Sequence, residues 1–189
     1  MSPNLGIIAS SISGHLYTLV GNYDALSTVT VPSGGLASIT FAGIPTTGYT
    51  HLQVRGIYRY TTALDILGMQ LNDDTAANYS SHKIIGSGSS ASAGAASSAS
   101  NMDLGYMMNS STGYGAAVID LLDYTNTTKA KTVRALSGTD LNGSGYVTLN
   151  SSAWYNNTSS VYPAINSIKI YPAAGTFAEY TQFALYGVK

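Results

Sequence analysis

Short stretches of alternating apolar and polar residues recur along this chain from about residue 26 onward. In LASITF (36–41), alternate residues sort onto opposite faces of an extended strand. Alternation of this kind, bounded by Gly, Pro, Asn or Ser, is typical of half-buried β-strands. Other segments of the same character are YTHLQVRGIYRY (49–60), LDILGMQLN (64–72), NMDLGYMM (101–108), YGAAVIDLLDY (114–124), KAKTVRALSG (129–138), GYVTLNSSAWY (145–155), INSIKIY (165–171) and FAEYTQFALYGVK (177–189). The pattern predicts an all-β chain, built as a single antiparallel β-sandwich.

Local signals add three finer predictions to this pattern. STVTV (27–31) and LASITF flank a Pro-Ser-Gly-Gly turn signal, which predicts a hairpin. Gly56 interrupts the alternation of its strand, which predicts a bulge. Val118, Leu121 and Leu122 sit at helical spacing, but neighbouring strand patterns and the flanking Gly115 favour a strand there.

A run of small residues, GSGSSASAGAASSAS (86–100), interrupts the strand pattern. It could be a linker between two domains, a disordered tether or a surface loop. The strand-like segments on both sides share one composition and one spacing, so nothing marks a domain boundary. We therefore predict a long, flexible surface loop within one domain; its unusual length suggests a contact role or disorder.

Residues 1–22 are apolar and small, but they neither alternate cleanly nor show helical spacing. One interpretation is a first strand tucked under the core, and the other is an extended arm that lies on a neighbouring subunit. We divide the chain into an N-terminal arm, 1–22, and a β-sandwich domain, 23–189.

Composition narrows the classes of function that the 189 residues can serve. Charged residues make up only 9% of the chain, the formal net charge is −1, and no basic cluster occurs, which argues against nucleic acid as a partner. Cys is absent, so neither disulfides nor a Cys-based zinc site can form. The N-terminal letters lack a secretory signal, and no apolar run is long enough to cross a membrane. We expect the chain to be made in the cytoplasm.

Candidate catalytic residues are sparse. His15, His51 and His82 have no ligand-like spacing, and Glu179 is the only Glu. Asp73-Asp74 lies in a turn-like stretch and is explained as a solvated turn, because neighbouring side chains on a strand point to opposite faces. We expect no enzymatic activity, no cofactor and no metal.

The best metal-like pattern is DLNGSG (140–145), which places oxygen ligands at Asp140, Asn142 and Ser144. A calcium loop of this type also needs an acidic residue near position 151, where Ser151 stands. A Gly-rich hairpin turn accounts for the same letters and is the favoured interpretation.

Aromatic residues beside a polar turn form the remaining candidate site. SSAWYNNTSSVYP (151–163) brings Trp154, Tyr155 and Asn156 together, and Tyr114 follows another polar stretch. Exposed flat rings beside amide groups are typical of sugar-binding shelves. The alternative, which we favour, is that Trp154 closes one end of the sandwich.

Five segments of the chain stand out together: GIIASSISG (6–14), YDALSTVTVPSGGLASITFAGIPTTGYTHLQVRGIYR (23–59), LNDDTAANYSSH (71–82), AAVIDLLDYTNTTKAKTVRALSG (116–138) and FALYGVK (183–189). They resemble tailed-phage virion structural proteins, which occur as capsid decoration proteins and as fibre-type appendage modules, as in phages of cyanobacteria. The resemblance spans about residues 6–189, skips the small-residue run and carries no catalytic signature.

This resemblance implies a jelly-roll β-sandwich that assembles as a homo-oligomer, expected to be a trimer, on a virus particle. Because the domain occupies almost the whole chain, we expect a capsid decoration, or cement, protein whose partners are the major capsid protein and itself. The expected contacts are arm residues Leu5, Ile7, Ile8, Ile12 and Leu16. The alternative is a tail fibre or appendage module that binds host-surface carbohydrate.

Overall fold

The computed structural model describes residues 21–62, 65–107, 113–156 and 161–189, and its regular elements are all β-strands. The twelve strands are β1 (Tyr23–Thr30), β2 (Ile39–Ala42), β3 (His51–Tyr58), β4 (Asp65–Leu71), β5 (Tyr79–Gly86), β6 (Ala91–Ala99), β7 (Met102–Met107), β8 (Gly115–Leu122), β9 (Lys131–Asp140), β10 (Gly145–Trp154), β11 (Ser167–Pro172) and β12 (Gln182–Val188).

The strands form two antiparallel sheets that face each other. The larger sheet has eight strands in the order β1-β12-β3-β8-β9-β10-β5-β6, and the smaller has four in the order β2-β11-β4-β7. Every pairing between neighbours is antiparallel. The prediction of an all-β sandwich is confirmed, whereas the finer prediction of a jelly roll stays a prediction.

The core lies between the sheets and follows from period-two alternation. On β8, Ala117, Ile119 and Leu121 are buried while the residues between them face outward. This confirms the strand prediction for AAVIDLLDY, because one buried face requires period two rather than helical spacing. On the opposing sheet, Leu67 and Met69 of β4 are completely buried.

The predicted hairpin between STVTV and LASITF is wrong. β1 pairs with β12 in the larger sheet, while β2 pairs with β11 in the smaller one. Between them, the amide of Val31 donates to the Thr181 carbonyl at 2.7 Å, and the chain then crosses through the turn at 32–35. A turn signal shows where a chain bends, but it does not determine which strand the next segment pairs with.

The predicted bulge at Gly56 is also wrong. β3 stays in register through Gly56, which pairs with Phe183 on one side and Ala117 on the other. A Cβ at Gly56 would lie 2.2 Å from Cε1 of the Phe183 ring. This glycine therefore makes room for an aromatic ring, which is the other reason for a glycine within a strand.

The prediction of a continuous loop over 86–100 is wrong for most of that stretch. Residues 87–90 form a tight turn, in which the Ser87 amide donates to the Ser90 carbonyl at 3.0 Å, and β6 then pairs along β5. Ala, Ser and Gly have weak strand propensity, but backbone hydrogen bonds to β5 overrode that preference. Both neighbours of the turn belong to one sheet, so the run is not a linker.

Candidate interaction surface

The outward face of the eight-stranded sheet carries a row of apolar side chains that are directly opposite one another on successive strands. We call Val118, Leu136, Leu149, Ile84 and Ala93 the apolar row; they lie on β8, β9, β10, β5 and β6 in that order. The side chains are well exposed, with relative exposures of 41% for Val118, 54% for Leu136 and Leu149, and 60% for Ile84.

A second row extends this apolar surface toward one end of the strands. Ile57 on β3 pairs with Ala116 on β8, and Val147 on β10 follows across Gly138. Ile57 and Val147 are 58% and 59% exposed. Together with the apolar row, Ile57, Ala116 and Val147 define a continuous patch that we call the apolar face.

The inward faces of β9, β10 and β5 are largely polar opposite the apolar row, whereas the inner faces of a sandwich are usually apolar. Ser137, Thr148, Asn150, Ser152 and Ser81 are all buried there. These positions alternate with the outward-pointing Leu136, Val147, Leu149 and Ile84, while Val133, Trp154 and Tyr79 are buried at the other end of the same strands.

The buried polar side chains hold β7 against the larger sheet. Asn150 Nδ2 donates to the Asp103 carbonyl at 2.8 Å, and Ser137 Oγ donates to the Leu104 carbonyl at 3.0 Å. Gly105 has φ of 132°, and a Cβ there would lie 1.8 Å from Ser137 Oγ. Small side chains on both sides therefore allow a close approach, and the hydrogen bonds satisfy the Ser137 hydroxyl and the Asn150 amide N–H. Thr148 Oγ1 and Asn150 Oδ1 are buried without a hydrogen-bond partner among the described residues.

An ion pair strengthens the same contact. Lys83 Nζ forms a short ion pair with Asp103 and donates to the Tyr106 hydroxyl at 2.8 Å. Burial acts to lower the pKa of Lys83, but the hydrogen bonds with Asp103 and Tyr106 outweigh it, so that its pKa is raised. This polar cluster is thus engaged in holding the two sheets together.

A polar row borders the apolar face on its other side. Gln53, Asp120 and Arg134 lie directly opposite one another on β3, β8 and β9. Gln53 Nε2 donates to Asp120 Oδ1 at 2.7 Å and Arg55 Nε donates to Gln53 Oε1 at 2.6 Å. The Arg55 guanidinium also lies 5.1 Å from the centre of the Tyr186 ring. Asp120 is acidic, and Arg55 and Arg134 are basic, so this border carries charges of both signs with one positive charge in excess.

The predicted arm contacts lie outside the described residues. This applies to Leu5, Ile7, Ile8, Ile12 and Leu16, and also to His15. The described part of the chain begins at Gly21, and β1 follows at Tyr23 on the edge of the larger sheet. The role of the arm stays a prediction.

The structure does not place Trp154 on an exposed sugar shelf. Its side chain is 1% exposed, its ring stacks on Tyr79, and its Nε1 donates to Asp74 Oδ2 at 2.6 Å. The favoured alternative, that Trp154 closes part of the sandwich, agrees with this burial. An indole with a polar partner for its N–H is well suited to the boundary of a core.

The other three members of the proposed shelf are divided between two places. Tyr155 is 54% exposed, and the neighbouring Asn156 hydrogen-bonds to Asp74. Tyr114 lies at the opposite end of the sheet, where its hydroxyl donates to the Glu179 carbonyl at 2.8 Å and the Arg59 guanidinium covers its ring. The structure therefore does not bring Tyr114 together with Tyr155 and Asn156.

The acidic turn at 73–74 is structural. Asn72 and Asp73 have positive φ, and the amide of Asp74 donates to the Leu71 carbonyl at 3.0 Å, which confirms the turn. Burial acts to raise the pKa of Asp74, but hydrogen bonds from Asn78, Trp154 and the Ala76 amide outweigh it and lower this pKa. Asp74 is thus an anchor for its turn, and not only a solvated carboxylate.

The calcium-like stretch forms a hairpin turn between β9 and β10, as favoured from the sequence. Asn142 and Gly143 both have positive φ, the conformation that an Asn-Gly pair readily adopts in a two-residue hairpin. Asp140 Oδ1 accepts a hydrogen bond from the Gly143 amide at 2.9 Å. The described ranges contain no group of three or more His, Cys, Asp or Glu residues placed to hold a metal ion.

The two described histidines lie on different strands and do not form a common site. His51 Nδ1 accepts a hydrogen bond from the Asp123 amide at 2.9 Å at the start of β3. His82 lies on β5 and is exposed. Each ring therefore has its own local surroundings.

Sequence reasoning missed the apolar face, although the chain contains a signal for it. Trp154 is in phase with Thr148, Asn150 and Ser152 along β10, whereas Val147 and Leu149 are out of phase with it. Because the buried Trp154 determines which side of β10 is inward, the two aliphatic residues must point outward.

Comparison with protein-family models, with curated proteins and with solved structures finds no match to this chain. Among the described residues, no helix has the length and apolar character needed to span a membrane.

Proposed function

We propose that this chain is a non-enzymatic virion structural protein, and specifically a capsid decoration protein that binds the coat lattice and other copies of itself. The observation that carries the proposal is the apolar face. Contiguous apolar surface of this extent is uncommon on a monomer and is characteristic of interaction sites. The resemblance of the chain to tailed-phage structural proteins is the reason for proposing a virus particle as the place where it acts.

The architecture supports a structural role in a second way. Ser137 of β9 and Asn150 of β10 donate hydrogen bonds to β7, and Asp74 holds its turn. These groups stabilise the fold and are engaged with one another.

In this proposal, the arm residues contact the coat. Leu5, Ile7, Ile8, Ile12 and Leu16 are apolar, and burying apolar area contributes about 25 cal/mol per Å². Repetition of the same contact around a capsid multiplies its effect, because a ligand that binds only the assembled state stabilises it.

The first test is immunogold labelling of intact virions with an antibody against this chain. Regular labelling over the head is the expected result, because a decoration protein occupies equivalent lattice positions. Labelling confined to the tail tip would contradict the decoration role and favour the appendage function, in which exposed Tyr155 is the ring to examine for glycan binding.

A second test removes the arm. Deletion of residues 1–16 is expected to abolish binding to undecorated particles, while the melting temperature of the sandwich stays close to that of the intact chain. A truncated protein that folds and still saturates the particles would contradict the arm contact.

A further inference from the structure

We propose that the apolar face is the surface through which copies of this chain bind one another, with the apolar row of one copy packed on the apolar row of the next. This inference adds a self-contact to the proposed function, and it rests on the proposed function in assuming that the chain works as an assembly. It names a described surface as the self-contact, separate from the arm that contacts the coat.

The shape of the face fits a second sheet. Directly opposite residues on neighbouring strands are about 4.8 Å apart, so the five strands of the apolar row form a ladder about 20 Å long. Its members are Val, Leu, Ile and Ala, and no large ring projects from it. Two sheet faces of this type pack at about 10 Å, with side chains interdigitating.

The size of the face also fits a self-contact. Six strands, β3 through β6 in sheet order, and about three rows of side chains cover on the order of 500–700 Å² per copy. A stable interface of standard size buries roughly 800 Å² per partner. The apolar face with its polar border therefore supplies most of the area that a stable pair requires.

The charges at the border are compatible with a copy of the same surface. Asp120 and Arg134 stand side by side on β8 and β9, and Arg55 lies directly opposite Val118 at the β3 end of the apolar row, so the border carries one acidic and two basic side chains. In a two-fold pair of identical surfaces, each contact between two residues of the copies occurs twice, once in each direction. A border with charges of both signs allows Asp120 of one copy to lie near a basic side chain of the other, which a border of a single sign would not.

The same comparison makes other occupants less suitable. A partner with a strongly charged surface would find only one excess positive charge to match on this border. The depressions on this face, one beside Ile84, Ala93 and Leu149 and one beside Ala116, Val118 and Leu136, are open to solvent. They would enclose the side chains of a short peptide poorly. A second copy of the sheet has the same spacing between strands, so all of its rows of side chains can contact the apolar row together.

The experiment measures the mass of the purified full-length chain in solution by light scattering coupled to size exclusion. The expected mass is at least twice the 19.6 kDa of one chain. The double variant Leu136→Asp, Leu149→Asp should fall to the mass of one chain, because two carboxylates at the centre of the ladder would have to be buried unpaired. A wild-type chain that stays monomeric at high concentration would overturn the inference.

Thr40→Asp is the matched control, since Thr40 is an exposed strand residue on the opposite outer face, where it pairs with Lys169. It should leave the mass unchanged. If the double Asp variant fails to fold, the milder Leu136→Thr, Leu149→Thr pair provides the same test, with an expected weakening of association of at least about tenfold. Oligomers that are insensitive to both pairs of substitutions would assign self-association to another surface and overturn the inference.

A cross-linking experiment separates a second copy from other occupants of the face. Because the chain contains no Cys, Leu136→Cys introduces a single thiol. A short bis-maleimide should then join copies into covalent dimers, whereas Thr40→Cys should not. Absence of dimers from Leu136→Cys would overturn the inference that a second copy covers the row. Head labelling with a monomeric chain would contradict only this inference, and an oligomer absent from virions would contradict only the proposed function.

Discussion

The two ends of the eight-stranded sheet are built on opposite principles. At the β12-β3 end, the inward face is aromatic: Phe183 stacks on Tyr58 with 5.6 Å between ring centres and contacts Phe177 at 5.5 Å. At the β9-β10-β5 end, the inward face holds hydroxyls and amides such as Ser137 and Asn150 in addition to the Trp154–Tyr79 pair. Leu136, Leu149 and Ile84 point outward there. We call these the aromatic end and the polar end.

The difference shows that the size and polarity of the inward side chains depend on what the smaller sheet places against them. Bulky rings fill the space between the sheets at the aromatic end. At the polar end, β7 comes close enough for Asn150 and Ser137 to reach its backbone carbonyls, so small polar side chains fit where large apolar ones would not. On β9, β10 and β5, aliphatic side chains occupy the outward positions and form part of the apolar face.

The largest expected effect is at the aromatic end. Phe183→Ala should lower the free energy of unfolding by about 3–5 kcal/mol, because it removes a fully buried ring and leaves a cavity between Tyr58 and Phe177. Chemical denaturation measures this, with Gln182→Ala, an exposed neighbour, expected to change stability by less than about 0.5 kcal/mol. A loss below about 1 kcal/mol would mean that the rings do not form the main core at this end.

A smaller effect is expected at the polar end, where Asn150→Leu tests whether the interior needs its polarity. The substitution removes the hydrogen bond to the Asp103 carbonyl and places a bulkier apolar group against β7, with an expected cost of about 1–3 kcal/mol. Equilibrium unfolding measures this loss for Asn150→Leu. Ser151→Ala, at the exposed neighbouring position, is the control that shows how much of the loss is due to the buried site. A variant more stable than the wild type would show that the polar end tolerates an ordinary apolar interior.

The smallest effect concerns pH and the turn that anchors Trp154. Asp74 has a lowered pKa in the folded chain, so its contribution to stability is present above its usual pKa of 3.8 and is lost as pH falls through the lower, folded value. Thermal melts between pH 2 and pH 6 should show the wild type losing its advantage over Asp74→Asn at the acidic end. Parallel melting curves for the two proteins would contradict the anchoring role.

The strands themselves were predictable, but their partners were not. AAVIDLLDY and the segments around it were correctly predicted as strands, since alternation is a local property. The predicted hairpin at 27–41 failed because the two strands belong to different sheets. The bulge at Gly56 failed because the cause of that glycine, the ring of Phe183, lies more than a hundred residues away.

The candidate site was less predictable than the fold. Trp154 was weighed both as a sugar-binding ring and as a packing residue, and only its position against Tyr79 decides for packing. The apolar face could not be recognised without knowing that Leu136 and Leu149 are opposite each other and outward. The predicted arm residues lie outside the described part of the chain, so their role still depends on experiment.

By itself, the sequence determined the all-β class, the positions of most turns and the absence of cysteine chemistry, because these depend on local propensity and composition. The tertiary structure decided which strands pair, that the small-residue run 91–99 is an edge strand, and which face of β9 and β10 is buried. These features depend on contacts between residues far apart in the chain. The close approach of β7 is the physical reason that small polar side chains lie inside the sandwich at β9 and β10.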